Sequence, residues 1–520
     1  MSSKEPVTIK GLLLTNIDFY CRDSARRGLA IGCFYPPHPI SFFLMQTLDY
    51  DPQPATAEHV SDAAITAAVE LFFLTKKGVP AHLIDVSTHE GIVQLTGITD
   101  NLLARERAEE ITLLVRGVRG VVNELLISTP DVPDEELNRH LALALADDPA
   151  TTDYNVQARA ADGVVTVTGM VQSWAEKQLV LRVVRGVKGV RRLHTDDLMI
   201  QWGEVQNSDD EITTQIRELL DWDIRVHSAL VEIRTYDRVV HLSGTVGSAA
   251  EKAQVIATAN QAGASRVEAR DLFVAYWAQS PELRRHKYAD RSDEAIAAAV
   301  RDAFLYDPRV LSYQPTIVVH NGIVTLSGAV SNLRAKQDAE RDARDVVGVW
   351  DVNNLLKVRT SRFIPDLNIT RSIEQALARD PYVGFFDFSV YVRNGKASLY
   401  GQVGSHFEQR QAGDVASGVN GVADFTNWVT VAASPGFDGF EVSAPRLNAD
   451  FALAERIRTR WFWSSSLHNQ DIEVLVEKGR ATLTGTVDTW LDREQAAYDA
   501  YNVGARYVDN DLVVSTANGL

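Results

Sequence analysis

Two short β-branched runs meet at Asn321-Gly322, and the polar and apolar positions around them alternate. In Thr316–Val330, Val324 and Leu326 fall on one side of the second run, and Thr325 and Ser327 on the other. Period-two alternation predicts a half-buried strand. Asn-Gly accepts the positive φ angles of a type I′ turn, so the stretch predicts a β-hairpin with one apolar face. The same phrase recurs at Glu90–Gly97, Asp162–Gly169, Asp237–Gly244, Asn394–Gly401 and Lys478–Gly485, with Arg238 where the third copy should have glycine. The closing glycines, Gly97, Gly169, Gly244, Gly328, Gly401 and Gly485, are spaced by 72, 75, 84, 73 and 84 residues. That period exceeds the roughly 20–50 residues of a solenoid unit, so it suits small complete domains.

Helical patterns flank each hairpin. Ile65, Val69, Phe72 and Phe73 follow a capping Ser61-Asp62 at i, i+4, i+7 and i+8. Leu137, Leu141 and Leu145 form the same stripe in the second copy, and Ile212, Ile216, Leu219 and Leu220 in the third, which opens on the capping-box spacing of Ser208 and Glu211. A second helix follows each hairpin. It ends at Gly117-Val118-Arg119-Gly120 in the first copy and Gly186-Val187-Lys188-Gly189 in the second, where glycine suits a left-handed helix exit. Each unit therefore reads helix, strand, strand, helix, strand: an α+β (α/β) domain with a three-stranded sheet and both helices on one face. The units are predicted at residues 57–129, 130–201, 207–274, 291–358, 364–431 and 448–514, after a non-repeat extension at 1–56 that reads as loosely structured. Each is near the lower size limit for an independent core, so neighbouring units are expected to pack together. The second sheet face, rich in Thr and Ser, is expected to be either solvated or an interface.

The Asn/Asp-Gly turn, the Val-Thr-Leu-Ser-Gly strand and the helix exit Gly348-Val349-Trp350-Asp351-Val352 together resemble the BON domain family of bacterial osmotic-stress and nodulation proteins. Asp307-Pro308-Arg309-Val310 and Asp380-Pro381-Tyr382-Val383 fit the family as well, and Asp148-Pro149 more loosely. The third copy departs at Arg238 and Gly263-Ala264, and the sixth has Trp461-Phe462-Trp463 in place of the Asp-Pro element. The resemblance covers about residues 57–514. It implies the fold just derived, association with the cell envelope, binding of phospholipid or other ligands, and no catalytic motif.

Composition narrows the rest. A net charge of −17 disfavours binding to nucleic acid or anionic lipid by the general field, though a local basic patch could act. The two cysteines, Cys21 and Cys33, exclude a disulfide framework and a Cys-rich zinc site. The twelve histidines show no HExxH spacing, so no metal is expected. Neither a phosphate loop nor a nucleophile motif is present, so we expect no cofactor and no enzyme. No run of about 18 apolar residues exists to span a membrane. The segment before Cys33 is too short for a secretory signal, so the cytoplasm is the expected compartment, with periplasm or envelope the alternative. Translation could start at Met1 or Met45.

Several side chains stand out as candidate contacts. Trp461, Phe462 and Trp463 cannot all face one core, which points to an inter-repeat or subunit contact, or else a ligand or lipid contact. Phe385, Phe386 and Phe388 divide the same way, with Phe386 and Phe388, two apart, suited to a core. The basic run Arg284-Arg285-His286-Lys287 reads either as a solvated linker or as a docking point for acidic surfaces, Arg284, Arg285 and Lys287 carrying it. The six closing glycines are read as structural. These features suggest a non-catalytic binding or scaffold protein that self-associates or holds other proteins, with a phospholipid-associated envelope protein as the alternative.

Overall fold

The computed structural model describes residues 60–75, 78–201, 207–279, 291–359, 363–432 and 446–514, together with Leu283 and Lys287. The extension, Cys21, Cys33, Met45, Arg284 and Arg285 lie outside the described residues.

The order helix, strand, strand, helix, strand repeats along the described chain. In the fourth repeat the first helix, Asp293–Tyr306, precedes an antiparallel hairpin, Thr316–His320 with Ile323–Ser327. The second helix, Leu333–Arg344, then returns the chain so that Asp351–Asn354 pairs parallel to Ile323–Leu326. The hairpin's second strand is thus central in each sheet, and the hairpin's first strand forms one edge. Both helices cover one sheet face. Ile296, Val300 and Phe304 from the first helix meet Ala335, Ala339 and Ala343 from the second over Val324 and Leu326 of the central strand. The small alanines let the second helix lie close to the sheet. The other repeats build equivalent cores.

One feature of each repeat ties the hairpin turn to the first helix. The Asp293 carboxylate accepts from the backbone N–H groups of Asn321 and Gly322, at 2.8 and 2.9 Å. Asp62, Asp209, Asp366 and Asp450 hold both turn amides in the same way, and Asp134 accepts from Asp162. All but Asp450 sit in the first helical turn, where the dipole also favours them. The two amides hold Asp293 below the usual carboxylate range.

The closing glycines divide in the structure. Gly97, Gly169, Gly244, Gly328 and Gly485 have φ between 105° and 129°. At Gly97 and Gly244 a Cβ would run into the carbonyls of Leu83 and Leu230, just before the edge strand, and at Gly485 into that of Asp471, at its start. Gly401 keeps an ordinary φ, and there a Cβ would press on Phe388. Arg238 adopts φ 62° in the third turn, with its guanidinium bonded to the Gly263 carbonyl at 3.0 Å.

Candidate interaction surfaces and repeat junctions

The repeats meet through their helices. At the start of each second helix, the residue after the N-cap reaches towards another repeat. Leu102 joins the second repeat's core, and Ala249 of the third repeat joins the first repeat's core. The second helices of repeats two and three touch as well. In the other half of the chain, Leu333 packs on the fifth repeat's core, and His406 lies against Tyr501 of the sixth at 4.8 Å. Trp490 of the sixth repeat donates from Nε1 to the Trp350 carbonyl of the fourth. Contacts thus run one to two, two to three and three to one, and again four to five, five to six and six to four. A head-to-tail contact that returns to its start closes a ring. Salt bridges Arg185–Glu106 (3.0 Å) and Arg344–Glu494 (3.0 Å) follow the same cycles.

A second kind of contact joins the two sets of three. The exit of a second helix pairs with the exit of a first helix in another repeat, backbone to backbone. Arg116 N–H donates to the Trp463 carbonyl and Ser465 N–H to the Leu114 carbonyl, both at 2.9 Å. Val347 to Trp222 (2.9 Å) and Ile224 to Asp345 (3.0 Å) repeat this between repeats four and three. Between repeats two and five, Lys188 N–H donates to the Arg379 carbonyl at 2.9 Å. There the second donor position is Pro381, which has no N–H to give.

Buried charge concentrates at these junctions. Arg460 and Asp499 are each 1 % exposed and lie 3.4 Å apart, and the guanidinium covers the Phe72 ring at 3.1 Å in the first repeat. Arg309 of the fourth repeat reaches Asp148 of the second at 2.7 Å, and Arg379 of the fifth reaches Asp147 at 2.8 Å. Asp338, almost fully buried, collects Arg309, Arg334 and Arg341 at 3.6, 3.4 and 2.6 Å. Burial pushes Asp380 up to about 6, against the pull of Gln411 and the Tyr382 and Val383 amides. Among the described residues no group of three or more His, Cys, Asp and Glu is arranged to hold a metal ion. No described helix is long and apolar enough to cross a membrane.

The aromatic run divides between these environments. Trp461 is buried in the sixth repeat's core. Trp463 packs against the first repeat's core, and Phe462, half exposed, meets it edge-on at 5.3 Å. Arg116 of the first repeat lies 5.1 Å from the Phe462 ring and 4.6 Å from the Tyr276 ring. Phe385 is exposed, with Lys188 Nζ of the second repeat 3.9 Å above its ring. Phe386 and Phe388 pack against the fifth repeat's core. Lys287 is no surface docking cation: it is buried, and its ammonium donates to the carbonyls of Leu220, Asp223 and Val226 at the first helix exit of repeat three. An ammonium there satisfies carbonyls the helix leaves open.

Among the described residues, no helix covers the outer sheet faces. The expected alternative of a sheet face packed on its neighbour gives way to packing through helices and their exits. Ile92, Met170, Tyr236, Val318, Tyr391 and Leu475 are exposed on these faces. The fifth repeat's face is the most aromatic. Tyr400 pairs across strands with Trp428, their rings nearly parallel at 8° and 6.5 Å apart, and Tyr391 lies on the same face. Thr96, Thr168, Ser243, Ser327 and Thr484 stand where repeat five has Tyr400, directly before the closing glycine.

A tandem array of small α+β domains, packed through helices and lacking a described metal or cofactor constellation, is the class of protein these features define. The chain belongs to the BON domain family, whose profile matches residues 61–129, 133–201, 208–272, 292–360, 365–433 and 449–516. It is 33% identical over 134 residues to the Osmotically-inducible protein Y of Escherichia coli K12, a match spanning 24% of this chain and 66% of that protein, or about two thirds of its length. It is 30% identical over 135 residues to the Outer membrane lipoprotein DolP of Haemophilus influenzae, spanning 25% of this chain and 69% of that one. Among solved structures, the C-terminal domain of the type III secretion structural protein CdsD of Chlamydia trachomatis matches at 16% identity, covering 44% of this chain and 99% of that domain, with a TM-score of 0.11 that supports no structural argument. The cytoplasmic expectation finds no support in these relatives.

Proposed function

We propose that the chain is a non-catalytic binding scaffold, in which BON repeats satisfy one another's helix surfaces and turn their sheets outward. The observation that carries this is the division of surfaces: the contacts between repeats come from helices and helix exits, while apolar and aromatic side chains stand exposed on the outer sheet faces. Exposed aromatics on a rigid face are the usual anchors of protein contacts. The fifth repeat's face, with Tyr391, Tyr400 and Trp428, is the principal docking surface. Self-association would use the same faces, or the free edge strands such as Ile84–His89, which pair on one side only.

Light scattering over a wide concentration range, with the triple variant Tyr391→Ser, Tyr400→Ser, Trp428→Ser alongside, tests this. The expected result is a mass rising above 57.4 kDa that the variant suppresses without a change in thermal unfolding. A constant 57.4 kDa mass would remove self-association and leave a scaffold for other proteins. Loss of folding in the variant would refute the assignment of that face as free surface.

The second reading, association with phospholipid at the envelope, draws on the printed name of a relative, an outer membrane lipoprotein. It requires co-flotation with anionic liposomes that weakens as salt rises. No flotation at low salt would eliminate it.

A further inference from the structure

Repeats two, three and four line a half-open cavity of about 1020 Å³, at the upper end of the size range of small-molecule sites. Helices from all three repeats line it, with Trp174, Leu179 and Arg182 from the second repeat, and Arg309, Asp338 and Arg341 from the fourth. The fourth-repeat arginines have carboxylates: Arg309 has Asp148 and Asp338, and Arg341 has Asp338. Arg225, on the third repeat's wall, has Asp223 and Asp345. Arg182 is different. Its side chain forms no ion pair or hydrogen bond among the described residues, yet it stands on a wall of the cavity.

Other arginines surround that position. Burial and then the charges of Arg309, Arg334 and Arg341 hold Arg182 below the usual guanidinium range, with Asp338 the opposing charge. Asp338 is already shared among three arginines. By surface area Arg182 is nonetheless exposed, and its guanidinium, with five N–H donors, has no protein acceptor among the described residues. A planar donor fork with no protein acceptor, among three like charges, is suited to a bidentate oxyanion. The carboxylates Asp210, Glu211 and Glu218 on the third repeat's side, and Asp302, Asp307 and Asp342 on the fourth's, disfavour an anion at those walls. They confine the oxyanion to the Arg182 end.

We propose that this cavity binds a small molecule through a phosphate or carboxylate group held by Arg182. The proposal is independent of the scaffold reading, because an occupied cavity between repeats requires no protein partner. The phosphate could come from a free metabolite or from a lipid headgroup.

The test is thermal unfolding and isothermal titration of the full chain with inorganic phosphate, glycerol 3-phosphate and citrate, at constant ionic strength set with chloride. Phosphatidylglycerol vesicles form a parallel arm. Arg182→Gln, which removes an unpaired charge, is expected to fold and unfold at or above the wild-type temperature. At least one oxyanion should raise the wild-type midpoint beyond the chloride control, and Arg182→Gln should weaken its binding at least tenfold. Binding to vesicles alone, lost in Arg182→Gln, assigns the same chemistry to a headgroup. If no oxyanion binds, or Arg182→Gln binds as tightly as wild type, the proposal is wrong. Should Arg182→Gln unfold, Arg182→Lys replaces it: an affinity equal to wild type would refute the bidentate fork.

Discussion

Replacing Asp499 by Leu separates a buried ion pair from the packing around it. Arg460 and Asp499 are each 1 % exposed and face each other across 3.4 Å, where the first and sixth repeats meet. Arg460 also donates to Thr75 Oγ1 at 3.2 Å, but its Nε and Nη2 find no hydrogen-bond partner. Removing the carboxylate leaves a guanidinium with no counter-charge in a site shut off from water. Breaking a buried pair in this way costs about 3–5 kcal/mol. Replacing both partners, as Arg460→Met with Asp499→Leu, removes the unmet donors too and lets a flexible thioether lie against Phe72, so the double variant should fall within about 1 kcal/mol of wild type. The readout is hydrogen exchange at the Arg116 and Ser465 amides, which form the backbone bridge between these repeats. Asp499→Leu should speed their exchange by about two to four orders of magnitude, following from 3–5 kcal/mol of lost local stability. Near-wild-type exchange in the single variant, or a double variant as fast as the single, would refute the claim that this pair is a desolvated charge contact.

Gly328→Ala should cost about 1–3 kcal/mol from its positive φ alone, because a Cβ there meets no atom nearer than 4.0 Å. Gly485→Ala adds a collision with the Asp471 carbonyl and should cost more, which paired urea melts would show. Asp293→Ala should strip protection from the Asn321 and Gly322 amides in hydrogen exchange, while leaving the equivalent turn at Asn394-Gly395 protected. In wild type, the lowered pKa of Asp293 means this contribution is complete above the unfolded value and fades as pH falls through the folded one. Asp380 has the opposite sign. With its folded value at about 6 and its unfolded value lower, the native state binds the extra proton, so stability falls as pH rises across that interval. The loss is up to about 3 kcal/mol between roughly pH 4 and 6, and Asp380→Asn should abolish that slope in urea melts.

The residues differ sharply in how well the sequence exposes them. The hairpin turns and helix stripes were legible because local periodicity dictates them: Val324 and Leu326 alternate with polar neighbours, and the structure buries both. The carboxylate that pins each turn carries a regular signal of another kind, at long range. Asp62, Asp134, Asp209, Asp293, Asp366 and Asp450 each precede the first turn residue by 28 positions. A search for one residue type at a fixed offset within the repeat would have found them. Arg460 carries a weaker mark. It falls on the stripe of Leu453, Ala454, Ile457 and Trp461, where a charge implies a buried partner.

The junctions have no such mark, for a physical reason. The residue after the second helix's N-cap is Leu102, Trp174, Ala249, Leu333, His406 or Trp490, so the position recurs while the chemistry does not. Each faces a different neighbour, and each junction adds its own pair, such as Arg309 with Asp148 or Trp490 with the Trp350 carbonyl. Six identical repeats could exchange places at these contacts. Unlike side chains at one geometric position let each repeat accept one neighbour, which separates the correct closure from its permutations. The same divergence leaves Arg182 without a carboxylate, while Arg379 of another repeat has Asp147, so the charges at one junction match and those at another stay open.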